Sequence, residues 1–136
     1  MSTPFVYCTM DQPQPYKIKK DSKGDYLYIK SEDVISLDSK IAVLDSFKNN
    51  TTLPGHLRVL DYAANSKVTF TLTGVRKLMK KATEVSEGYD SIKYAVVLNT
   101  ALYVAYVIFA ETIATNSKFS IKVFSTLKAA KIWLEK

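Results

Sequence analysis

Cysteine is almost missing from this chain. Cys8 is the only one, so no intramolecular disulfide can form and a reducing, cytoplasmic compartment is the expectation. Histidine is as scarce: His56 stands alone, and with Cys8 it makes up the whole supply of soft ligands. No zinc-type spacing exists, and no metal or other cofactor is expected. Four glycines and four prolines among 136 residues exclude collagen-like and low-complexity chains. G-x-G-x-x-G and Walker loops are absent, which removes the usual glycine-built nucleotide cradles. Met1–Met10 lacks the basic start and continuous apolar core of a signal peptide. No nucleophile motif accompanies His56, and Glu32-Asp33, Asp61 and Glu111 show no paired spacing suited to acid–base work. The sequence therefore points away from an enzyme.

Charge is moderate. Nineteen basic and thirteen acidic residues leave a net charge of +6, but the lysines are scattered and form no nucleic-acid arm, so no nucleic-acid partner is expected. The longest apolar run, Tyr94–Ala110, has 17 residues and is interrupted by Asn99-Thr100. A bilayer needs roughly 20, so this run reads as a strand plus a helix, with no integral membrane association.

What is present is the pattern of a single α/β domain. Residues 1–15 read as an extension, with a short strand through Phe5–Thr9. Tyr16–Lys20 and Asp25–Lys30 flank Asp21-Ser22-Lys23-Gly24, a turn sequence, and make an antiparallel hairpin. Ser36 caps a helix whose apolar stripe is Leu37, Ile41, Leu44 and Phe47. Leu57–Tyr62 is a strand, and Asn65-Ser66 a loop. A second helix from Leu72 to Glu87 has the stripe Leu72, Val75, Leu78, Met79, Ala82 and Val85; its other face, Arg76, Lys77, Lys80 and Lys81, reads as solvated. Tyr94–Leu98 is expected as the central strand, followed by a helix over Ala101–Thr115. Phe119–Phe124 alternates as a strand, and a last helix covers Leu127–Glu135. Parallel strands joined by right-handed helical crossovers give one sheet covered by helices.

The run Ile121-Lys122-Val123-Phe124 with Ala130 and Trp133-Leu134, together with Val59-Leu60-Asp61, resembles the SpoIIAA-like group of the STAS superfamily. Those proteins typically end in V-x-V-F-x-x-x-x-x-A-x-x-W-L and carry a strand ending in Asp. The resemblance spans roughly residues 16–136 and rests on packing motifs. It implies a right-handed β-α superhelix with a mostly parallel sheet of four or five strands. It also implies regulation or the binding of a small ligand, including a lipid. In the anti-sigma-factor antagonists of this group, D-S-S-G opens the helix after the Asp-bearing strand, and its second Ser is phosphorylated. Here the stretch is Thr71-Leu72-Thr73-Gly74, in which only the hydroxyl before Gly is kept, so Thr73 is read as a helix-start residue rather than a phosphoacceptor.

Two interaction sites are expected. Loops and helix N-termini gather at the carboxyl edge of a parallel sheet, which places Asp61, Tyr62, Asn99, Thr100, Ser125 and Thr126 there, with Tyr103 one turn into its helix. These residues are the candidate ligand site. The helix Ala101–Thr115 is apolar nearly all round, so it needs a pocket, a neighbouring helix or a second subunit; a homodimer with Tyr103 and Tyr106 at the contact is the alternative reading.

Overall fold

A computed structural model of the chain describes residues 14–48, 50–114 and 118–136. The expected strand Phe5–Thr9 and Cys8 lie outside the described residues. The hairpin forms as its turn sequence dictates: β1 (Lys17–Asp21) and β2 (Gly24–Lys30) pair antiparallel, from Lys17 opposite Tyr28 to Asp21 opposite Gly24. Gly24 supplies the positive φ of 115° that the turn requires. After it come β3 (Val34–Ile35), α1 (Leu37–Phe47), β4 (His56–Tyr62), β5 (Lys67–Val68), α2 (Leu72–Ser86), β6 (Ser91–Val97), α3 (Ala101–Ile113), β7 (Phe119–Phe124) and α4 (Leu127–Leu134).

The main sheet has the order β1-β2-β4-β6-β7, parallel throughout except for the hairpin. Each crossover from β2 onward advances one strand in the same direction, so right-handed connections stack α1, α2 and α3 on one face. The chain then turns over and lays α4 on the other. This is the expected α/β fold, with one correction. Tyr94–Val97 lie in an inner strand, with Leu98 just past its end, but the middle of the sheet is β4, because the hairpin adds two strands on that side. The sequence reading also passes over β3 and β5. These form a two-stranded parallel ladder next to the ends of β2 and β4, held by Lys67 N–H donating to the Asp33 carbonyl at 2.7 Å and Ser66 Oγ donating to the Glu32 carbonyl at 2.7 Å. Two residues are too few to show a period.

Strand alternation sorts the core into two layers. Leu27, Ile29, Leu57, Val59, Ile92, Tyr94 and Val96 face α1–α3, while Tyr26, Leu60, Ala95 and Val97 face α4. The smaller layer is tied down by polar contacts at the end of α4. Arg58 grips Asp21 with both guanidinium nitrogens, at 2.8 and 2.9 Å, and donates to the Leu134 carbonyl at 3.2 Å; Lys93 donates to the Trp133 carbonyl at 2.7 Å. Cations thus sit on the last carbonyls of a helix C-terminus, where they are favoured. Arg58 holds the Asp21 carboxyl below the usual range, and burial pushes Lys93 down.

On the larger layer, α1 buries Val43, Leu44 and Phe47, with Leu37 and Ile41 half-buried. Ser36 caps it, accepting from Ser39 N–H at 3.1 Å. Helix α2 buries Val75, Met79, Ala82 and Val85, but its first stripe residue, Leu72, is exposed. Near its start Gly74 is packed so closely that an added Cβ would lie 2.9 Å from Phe70 Cβ. Helix α3 turns Tyr103, Tyr106, Val107 and Ala110 inward and leaves Leu102 and Ile108 half in solvent, at 56% and 50% exposure. Tyr103 and Tyr106, expected at a contact with a second subunit, are half-buried and pack against the protein's own core.

Candidate functional site: an apolar pocket with a buried ion pair

The inward faces of α1, α2 and α3 do not close fully on the sheet. Between them and β4, β6 and β7 lies a pocket of about 120 Å³. Its walls include Leu44 of α1, Met79 of α2, Val107 and Ala110 of α3, Val96 of β6 and Ile121 of β7. Polar lining is confined to Lys40, Asp61 and Tyr94 and to the rings of Tyr103 and Tyr106, which stand 6.1 Å apart. The remaining side chains of the wall are apolar.

Asp61 is there because β4 alternates. Leu57, Val59 and Ala63 face the larger core layer, and Asp61 shares their register. A carboxylate so placed, 2% exposed, must be compensated, and three groups do so. Ser31, just beyond β2, donates to Oδ1 at 2.6 Å. Tyr94 of β6 donates its hydroxyl to Oδ2 at 2.7 Å, and Lys40 of α1 contacts the same oxygen at 2.5 Å. Lys40 also donates to Ser31 Oγ at 2.8 Å. Burial drives the Tyr94 phenol well above its ordinary value, reinforced by the charge and hydrogen bond of Asp61. The phenol stays protonated at neutral pH.

Each ionisable group of this cluster is already engaged. The Asp61 oxygens are occupied by three donors, Tyr94 holds its proton, and Lys40 is in an ion pair. Such a cluster can orient a polar group and can discriminate between charge states; it is poorly set up to remove a proton. Elsewhere, His56 Nδ1 lies 2.9 Å from Ser91 Oγ and its Nε2 lies 3.9 Å from Asp90. The His56 and Asp90 side chains are 78% and 72% exposed and lie outside this pocket, so this trio is a surface contact.

Of the candidate residues taken from the sequence, Asp61 and Tyr103 line the pocket. Tyr62 points to the opposite side of the sheet and packs with the α4 layer. Asn99, Thr100, Ser125 and Thr126 are exposed at the carboxyl edge. Thr126 caps α4, accepting from Ala129 N–H at 3.1 Å, whereas Thr100 makes no side-chain cap. Thr73 is exposed in the first turn of α2. Ser31, Lys40 and Tyr94 are additions from the structure. One of them, Lys40, had a legible signal, since a charge inside an apolar stripe needs a partner. It falls between Leu37, Leu44 and Phe47 on α1, as Asp61 falls between Val59 of β4 and Ala63 just after it.

No protein-family model matches the chain, and neither does any curated protein. Among solved structures it is similar to an uncharacterised protein of the DUF3478 family from Shewanella loihica PV-4, whose crystal structure has a SpoIIAA-like fold. The two share 15% identity at a TM-score of 0.59, over 88% of this chain and 91% of the other. Sheet order, parallel strand pairing and this likeness agree: the chain has a SpoIIAA-like fold.

Proposed function

We propose that the protein is a non-catalytic module that binds a small, largely apolar molecule between its sheet and α1–α3. The observation that carries this reading is the pocket itself: about 120 Å³ of apolar space beside a buried ion pair. Protein interiors rarely keep such space, because close packing is the rule. Its size is comparable to the roughly 150 Å³ apolar cavity that admits benzene, so a ring or a short chain fits better than a long acyl lipid. Native mass spectrometry of freshly purified protein tests it. A mass increment that survives desalting and disappears on unfolding is expected; protein that is apo and also takes up none of a set of small apolar probes would contradict it.

A second reading is favoured by a separate observation. Leu102 and Ile108 on α3, with Leu72 of α2 at 44%, are large apolar residues left exposed on the helical side. A homodimer through α3 would cover them. Light scattering at high micromolar concentration decides it: a doubled mass supports the dimer and a monomer removes it.

A further inference from the structure

We infer that the pocket selects an uncharged ligand whose head group both accepts and donates a hydrogen bond, as an alcohol or primary amide does, and rejects the matching carboxylate and amine. This rests on the ligand-binding reading above and adds the chemistry of the head group.

Hydrogen-bonding capacity at the Lys40–Asp61 pair carries the argument. A lysine ammonium has three N–H donors. In Lys40 one goes to Asp61 and one to Ser31, which leaves a third. An ionised carboxylate offers about four acceptor positions. Asp61 receives Ser31 on Oδ1 and both Tyr94 and Lys40 on Oδ2, which leaves one on Oδ1. Tyr94 has spent its only O–H on Asp61. The cluster therefore keeps one donor and one acceptor uncommitted on two residues that line the pocket, and a hydroxyl or amide uses both.

Charge sets the exclusion. Lys40 and Asp61 already neutralise each other, with side chains only 15% and 3% exposed. A ligand carboxylate would be a second anion beside Asp61, and a ligand ammonium a second cation beside Lys40. Like charges sharing a desolvated site disfavour the ionised form of one of them. The apolar walls provide no other counter-ion: among the lining residues only Lys40 and Asp61 are charged.

The experiment is a titration at pH 7 of the isotopically labelled protein with 1-hexanol, hexanamide, hexanoate, hexylamine and cyclohexane, following methyl resonances of Met79 and Ala110. 1-Hexanol and hexanamide are expected to bind about tenfold or more tighter than hexanoate and hexylamine. In the double variant Lys40→Met/Asp61→Leu the preference should shrink to within a few-fold. Hexanoate or hexylamine binding as tightly as the neutral ligands would overturn the head-group inference while leaving the pocket reading intact. No shift from any of the five, cyclohexane included, would overturn both. If the double variant fails to fold, the ranking in the natural protein decides alone.

Discussion

Replacing Lys40 with Met is the sharpest way to ask whether the Asp61 cluster is a buried structure or a hydrated surface pair. Exposed ion pairs contribute about 0–1 kcal/mol, whereas removing one partner of a buried pair costs about 3–5 kcal/mol because an uncompensated charge remains. With side-chain exposures of 15% and 3%, this pair falls in the second class. Ser31 and Tyr94 would still donate to Asp61, which puts the expected loss near the lower end, about 3 kcal/mol. For a chain of 136 residues, an unfolding entropy of about 2.1 cal/mol/K per residue converts this to a fall in Tm of about 10 °C. Adding Asp61→Leu removes the orphaned charge, so the double variant should recover most of the loss even though it lacks both partners. Urea unfolding of the two variants and the natural protein, with m-values checked for equality, measures all three. A loss below about 0.5 kcal/mol for Lys40→Met, or a double variant less stable than the single one, would refute the reasoning.

Three further outcomes follow from the same geometry. The folded state holds the Tyr94 proton more tightly than the unfolded chain, so this stabilisation is complete below about pH 10 and is lost as pH rises beyond it; Tyr94→Phe should flatten the alkaline fall in Tm. Asp21 is shifted the other way by Arg58, so its contribution is present above about pH 4 and disappears on further acidification; Arg58→Leu should lower Tm at pH 7 and weaken its dependence on acid. Val97 is 1% exposed on an inner strand, so Val97→Asp forfeits about 1.5–3 kcal/mol of burial and adds an unpaired charge. It should give no soluble protein, which fractionation of expressing cells would show.

Most of the fold was open to inspection in the sequence, because the strands and helices carry clean periods of their own. Leu57–Tyr62, Phe119–Phe124 and the stripe Val75–Met79–Ala82–Val85 sort themselves onto faces without any knowledge of their neighbours. Features set by tertiary placement were less visible. The two-residue strands β3 and β5 exist only because the ends of β2 and β4 lie side by side. Helix α3 is apolar all round, so its sequence cannot say which side turns inward; packing on β7 and α2 chooses Tyr103, Tyr106 and Ala110 over Leu102 and Ile108. The same holds for the pocket. Reasoning from strand ends draws attention to loops, while Lys40, Asp61 and Tyr94 meet on the sheet's face, brought there by three different elements whose mutual position depends on the handed crossovers.

The pocket is the centre of this account, and its occupancy can be observed directly. Intermolecular nuclear Overhauser effects should appear between 1-hexanol and the methyl groups of Met79, Val96 and Ala110, which line the pocket from α2, β6 and α3. Contacts to all three, with none to the exposed side chains of Leu102 and Ile108, are the predicted result. Contacts confined to Leu102 and Ile108, or none at all at millimolar 1-hexanol, would contradict it.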